Sequence, residues 1–259
     1  MTTTVSIKKY REILETSYSL AKANFKVRNE SSYLGILWYL LNPLSYFFII
    51  LYLRGVLFST ATVAYYPVYL LMGLIMLNFF NQSIGASIDL IRNNAGFIKS
   101  MKIPYEIFVL SIVFQAIFSH IFELLLVALL FIYFHVSLIG IVWYIFAFIL
   151  YALFTLGLCF LFSTIGLYFS DFRNIWSIFS QLLLFVTPIF YVVNPGNYLY
   201  LSNLLNPLFY FMTTARDVAI YAILPPFWMS LGAICIALAS LIIGFSFFHK
   251  FKDRFAEYV

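Results

Sequence analysis

Charge is what this sequence has least of. Asp, Glu, Lys and Arg make up 10% of its 259 residues, whereas 64% are hydrophobic and the mean hydropathy is +0.98. A water-soluble domain of that composition would expose large apolar patches and aggregate. The balance therefore excludes a soluble enzyme and indicates an integral membrane protein. Cysteine is scarce too. Cys159 and Cys235 lie in separate apolar runs with no CxxC-type neighbour, which excludes a disulfide framework or a thiolate metal nest. No GxxxxGK[ST] occurs and no Gly is followed by Lys, so a phosphate-gripping loop is missing. HExxH, GxSxG and Cys/His clusters are missing as well, and chemistry on a substrate is not expected of this chain. The polar first 30 residues lack the apolar core and small residues of a cleavable signal, so the amino terminus is expected to be retained.

What the chain does have is long apolar, aromatic-rich runs. About 20 apolar residues cross a bilayer as a helix, and that ruler predicts six spans, near 34–57, 65–88, 104–134, 138–168, 175–193 and 226–248. Lys and Arg near span ends stay on the cytoplasmic side. With the amino terminus inside, only Arg54 and Arg216 fall outside, leaving 13 of the 15 basic residues within. An even number of spans returns the carboxyl terminus to the inside, where "HKFKDRF" follows the last span. The net charge of +5 is then topological and no nucleic-acid footprint.

Three features face the cytoplasm. Ile7, Tyr10, Leu14, Tyr18, Ala21 and Phe25 recur at helical spacing between charged residues, which predicts an amphipathic helix along the inner leaflet. That helix can be a membrane anchor, a docking surface, or both. The stretch "SIDLIRNNAGFIKSMKIPYEIF" at 87–108 is too polar for a bilayer and forms the turn between spans two and three. Asn93, Asn94 and Gly96 suit a chain reversal, Phe97 and Ile98 give an apolar tip, and Pro104 opens the next helix. An ordinary positive-inside loop would carry the same lysines. A second short charged turn with an aromatic, "FSDFRNIWS" at 169–177, makes the three together look like a socket.

These residues resemble the membrane subunits of ABC exporters of the ABC-2 type that export polysaccharides and teichoic acids. The resemblance rests on "YLGILWYLLNPL" (33–44), "FIKSMKIPYEIF" (97–108), "SDFRNIWSIFSQLLLFVTPIFY" (170–191) and "NPLFYFMTTARD" (206–217), in that order. One departure is that Arg173 is followed by Asn174, with the acid displaced to Asp171, where the family often has Arg-Asp. The resemblance implies an all-α membrane protein: six transmembrane helices, an amino-terminal amphipathic interface helix over 1–33, and short re-entrant outer gate helices between spans five and six. Within a transmembrane domain over 34–259 it sets a coupling turn at 89–103, a second cytoplasmic turn at 169–177 and an outer gate segment at 194–225.

By the same resemblance the chain is a non-enzymatic permease subunit in the bacterial inner membrane. It pairs with itself and binds two copies of a cytoplasmic ATPase, which holds ATP and Mg; this chain itself holds no cofactor and no metal. Arg92, Asn93, Asn94, Phe97, Ile98, Lys99 and Lys102, with Asp171, Phe172 and Arg173, would pass ATP-driven closure to the membrane helices. The cargo would be a lipid-linked O-antigen, capsule or teichoic acid, O-antigen being favoured.

Sugar faces pack on aromatic rings, so Trp38, Tyr39 and Tyr46 in span one and Phe185, Phe190 and Tyr191 in span five are candidates to line the glycan path. Interfacial belts use the same residue types. Lys26 and Arg28 are placed to meet the phosphates of a polyprenyl diphosphate carrier, and they also suit plain positive-inside anchoring. Asn194, Pro195, Asn206, Pro207, Arg216 and Asp217 are outer-gate candidates or interfacial loop residues. Glu123 is the one acid well inside a span, with His120 a turn before it. Intramembrane ionisable groups are costly and usually functional, so a proton- or ion-coupled carrier using this pair is the alternative. A membrane-embedded lipid-modifying enzyme is a third class. If ATP is the driver, Glu123→Gln is expected to leave transport largely intact.

Overall fold

The computed structural model of the protein describes residues 2–30, 33–57, 63–100, 103–193 and 198–258. Every regular element among them is helical. In a hydrocarbon medium each backbone group must be satisfied within its own segment, and a helix does this.

Five helices are long and apolar enough to cross a membrane. They are α2 (Leu37–Leu57), α3 (Tyr66–Ile88), α6 (Glu106–Tyr133), α7 (Ile139–Tyr168) and α11 (Phe227–Phe251), matching five of the expected spans. Around them lie α1 (Thr2–Glu30), the short α4 (Leu90–Asn93) and α5 (Ala95–Ser100), α8 (Phe172–Val186), α9 (Tyr198–Leu204), α10 (Pro207–Ala219) and α12 (Phe255–Tyr258).

The central helix is α3, buried on nearly all sides. Its sequence is apolar all round, as an enclosed helix requires. Helices α6 and α7 pack on it, and α11 packs along α7. A Cβ on Gly244 would overlap the carbonyl of Gly157, and one on Gly157 would overlap the backbone of Ser240, so these glycines let α7 and α11 approach backbone to backbone. Ser240 Oγ donates to the Phe154 carbonyl across the same seam at 2.8 Å.

The expected fifth span, 175–193, is helical only as far as Val186. Pro188 disfavours helical geometry at the residue before it, and Thr187 is extended at φ −86°, ψ 141°. With 15 residues, α8 is about 22 Å long at 1.5 Å per residue, short of the ~30 Å hydrocarbon core. Beyond it α9 has 7 residues and α10 has 13, neither enough to cross.

The amino-terminal helix forms, and the predicted face is buried only in part. Tyr10, Leu14 and Tyr18 of that face stay exposed, whereas its Ala21 is fully buried together with Ser17, which the predicted face did not include. Those small side chains bring α1 close to α6, where Tyr18 meets the edges of Phe114 and Phe118, and Phe25 packs on Phe118 and Phe122. The two helices thus run alongside each other in the same direction.

Candidate functional site

At one end of the bundle, α3 ends at Ile88 and the chain makes two short helices, α4 and α5, with Asn94 between them. Asn94 Nδ2 donates back to the Leu90 carbonyl at 2.8 Å, and its own carbonyl accepts from Ile98 N at 3.0 Å. Two contacts tie this turn to the second one. Arg92 Nη2 donates to the Leu167 carbonyl at the end of α7 at 2.9 Å, and Asp89 forms an ion pair with Arg173 at 2.9 Å. Phe172 packs edge-on against Phe162. Ile98 is buried under the turn, while Asn93, Phe97, Lys99, Asp171 and Arg173 are exposed. Lys102 lies outside the described residues. The displaced acid, Asp171, stands at the amino-terminal cap of α8 with no capping hydrogen bond from its side chain, and Arg173 pairs with Asp89.

Between α1, α2 and α3 lies a pocket of about 460 Å³ lined by Arg28, Trp38, Tyr39, Leu41, Asn42, Ser45 and Gln82. The Arg28 guanidinium sits 4.8 Å over the Tyr39 ring, which also stacks on Phe25 of the same helix, α1. Sequence candidates from two separate segments, Arg28 and the span-one aromatics Trp38 and Tyr39, are thereby brought together. Lys26 is not among the lining residues; it pairs with Glu30 at 3.6 Å on the exposed face of α1. Tyr46 is also outside the pocket and half exposed. Phe185, Phe190 and Tyr191 form their own ring cluster at the end of α8, with Phe190 and Tyr191 on the extended segment instead of the span.

A polar chain runs from that pocket into the bundle. Asn42 Nδ2 is 3.5 Å from Asn78 Oδ1, and Asn78 Nδ2 donates to Glu123 Oε1. Glu123 Oε2 is 3.0 Å from His120 Nδ1, and His120 Nε2 is 2.7 Å from the Tyr144 hydroxyl. Glu123, His120 and Tyr144 are each 1% exposed. Buried polar groups are tolerable when every member has a partner, and here four helices supply them.

At the opposite end, the backbone freed at the end of α8 is held by side chains. Arg216, 2% exposed, donates from Nη1 to the Pro188 carbonyl at 2.6 Å and from Nη2 to that of Ile189 at 3.2 Å. The Tyr69 hydroxyl donates to the Tyr191 carbonyl at 2.9 Å, and the Tyr66 hydroxyl to that of Phe190 at 2.9 Å. Rings and cations alternate: Arg54 lies 3.3 Å over Tyr66, Tyr66 stacks on Tyr69, and Arg216 lies 3.6 Å over Tyr69. A cation over an aromatic face is stabilised by the ring quadrupole. Gly73 leaves the room, since a Cβ there would overlap the guanidinium. Asn206 caps α10, accepting from Leu208 N at 3.0 Å just ahead of Pro207, and donates to Thr187 Oγ1 at 3.1 Å. Asp217 is half-buried beside this cluster, and burial pushes its carboxyl up to about 6 against the pull of Arg216. Asn194 and Pro195 lie outside the described residues.

Sequence reasoning missed Asn42, Asn78, Gln82, Tyr144, Tyr66 and Tyr69. The available signal was a polar amide within an otherwise apolar span, as in "LNFFNQ", which a hydrocarbon environment makes costly without a partner.

Residues 16–220 match the ABC-2 type transporter family. Over 242 residues, 92% of either chain, this chain is 30% identical to a protein of Klebsiella pneumoniae named O-antigen export system permease protein RfbA. It is 24% identical over 257 residues to a protein of the same name from Myxococcus xanthus, covering 96% of this chain and 95% of that one. The resemblance carried by the four motifs is thus matched over most of the sequence, and the chain belongs to the ABC-2 type transporter family.

Proposed function

We propose that this chain is the permease subunit of an ATP-driven exporter that carries a lipid-linked polysaccharide of the O-antigen class out of the cytoplasm. The observation that carries the reading is near full-length similarity to O-antigen export permeases, joined to a cytoplasmic face whose two turns are bonded to each other. Such a face moves as one body when an ATPase pushes on α4 and α5. The chain does no chemistry; ATP and Mg belong to that ATPase partner, of which two copies bind two copies of this chain.

In this reading the protein sits in the bacterial inner membrane with both termini cytoplasmic. The segment from α8 to residue 193 serves as the sixth span, and α9 and α10 dip into the outer side as a gate. Helix α2 leaves most of its surface uncovered, and α8 exposes Ile175, Ile178, Leu182 and Phe185; these faces supply the contact with the second copy and the wall of the path. The Arg28 pocket, with a cation, aromatic faces and amides in one place, suits the diphosphate and first sugar of the lipid-linked cargo.

The test is transport by the chain reconstituted with its ATPase subunit in proteoliposomes. ATP-dependent movement of a labelled polyprenyl diphosphate-linked glycan is expected, and Ile98→Pro, which removes the Ile98 N to Asn94 carbonyl bond, should leave ATP hydrolysis running while cargo movement stops. Export driven by a pH gradient without ATP would instead favour a carrier built on Glu123 and His120.

A further inference from the structure

The polar chain from Tyr144 to Asn42 has a direction. His120 Nδ1 faces a carboxylate oxygen and so carries its hydrogen there, which leaves Nε2 to accept from the Tyr144 hydroxyl. Asn78 meets the other oxygen of Glu123 with its Nδ2. With its Nδ2 committed to that oxygen, the Asn78 amide has its Oδ1 turned towards α2. Asn42 in turn meets that Oδ1 with its Nδ2. Every donor in the series points at Glu123. The consequence appears at the far end: Asn42 has its carbonyl Oδ1 left over, on the wall of the pocket that also holds Arg28, Trp38 and Gln82.

The inner part of the relay is rigid. His120 stacks on Phe148 with ring centroids 4.4 Å apart and planes within 7°, and Phe79 covers it at 5.6 Å. Glu123 is 1% exposed, so its carboxylate touches nothing that enters the pocket and acts only through the two asparagines.

We propose that Glu123 and Asn78 are positioning residues that fix Asn42 as a hydrogen-bond acceptor, so that the pocket selects a lipid diphosphate whose first sugar presents a hydroxyl or amide N–H. This rests on the reading that the pocket takes the lipid-linked cargo. Arg28 supplies charge for the diphosphate, Trp38 an exposed ring for a sugar face, and Asn42 the acceptor that distinguishes a sugar-bearing lipid from a bare one. Glutamine at position 123 has both a donor and an acceptor arm. It no longer dictates which way Asn78 faces, and Asn42 is free to turn over.

The test uses the full complex of this chain with its ATPase subunit in nanodiscs and two probes, a polyprenyl diphosphate carrying one hexose and the same polyprenyl diphosphate without sugar. Binding of each is measured by titration, with the ATPase maximal rate and half-saturating probe concentration as second readouts. Glu123→Gln and Asn42→Leu are each expected to weaken the sugar-bearing probe about tenfold, roughly 1.4 kcal/mol, while the bare probe binds as before and the maximal rate holds. Arg28→Ala should weaken both probes alike. Because Asn42 is exposed on the pocket wall, Asn42→Leu decides the matter if Glu123→Gln fails to assemble. Equal weakening of both probes, or no change in either, in these two variants overturns the relay while leaving the pocket intact. No effect of Arg28→Ala on either probe overturns the pocket reading and the relay with it.

Discussion

Asp89 and Arg173 meet at 2.9 Å, and this ion pair joins the end of α3 to the start of α8 across two turns that are 84 residues apart in the chain. The Arg173 side chain is 70% exposed, and exposed pairs contribute about 0–1 kcal/mol to stability. Its value is geometric: it makes two turns one surface. Arg173→Ala should therefore change the unfolding temperature little while lowering the amount of glycan moved per ATP hydrolysed. The swap of Asp89→Arg with Arg173→Asp should restore much of that ratio, checked by parallel transport and phosphate-release assays.

At the opposite end of the bundle, Gly73 and Arg216 depend on each other. Arg216→Met leaves the Ile189 carbonyl without its side-chain donor and the Pro188 carbonyl with only the Tyr69 hydroxyl at 3.2 Å, and a buried acceptor left unsatisfied costs about 1–3 kcal/mol. Gly73→Ala should do similar damage by displacing the guanidinium. The double variant should be no worse than Arg216→Met alone, since the two act on one interaction. Thermal unfolding of all three variants in detergent measures this.

The α7–α11 seam makes a simpler prediction. Gly244→Ala sets a methyl against the Gly157 carbonyl, with backbone on both sides and no flexible side chain to give way. Overpacking costs about 1–3 kcal/mol, so the folded yield should fall. Gly55→Ala, with nothing near its Cβ position, is the control expected to behave as the parent protein.

Asp217 gives the fold a pH dependence. Burial raises its carboxyl from the ordinary 3.8 to about 6, so the folded state holds a proton that the unfolded chain has lost. The stability this provides is full below about 3.8, falls as pH rises, and is gone above about 6. Asp217→Asn should flatten the dependence of unfolding temperature on pH between those values and raise stability at neutral pH.

The five long spans were legible because partition into a bilayer is close to a sum over local residues, and "LLMGLIMLNFF" or "IGIVWYIFAFIL" leave no doubt about burial. The fifth predicted span shows the limit. Residues 175–193 are apolar enough in sum, but hydropathy does not register what Pro188 does to Thr187. The amino-terminal helix shows another. Its period was readable and Ala21 packs as that period expects, yet the face that meets α6 also includes the small, polar Ser17. A count of apolar positions rewards Tyr10 and Leu14 over it.

The sequence by itself determined that the chain crosses a membrane and where most spans lie, because both follow from the local cost of moving side chains between water and hydrocarbon. Only the tertiary structure decided that Arg216 is a buried clamp on the Pro188 carbonyl and that Asn42, Asn78 and Glu123 form one line. Those partners lie 28 to 45 residues apart in sequence, on helices whose rotation and depth are set by packing against each other. No periodicity along a single helix encodes which polar group on the next one will stand opposite.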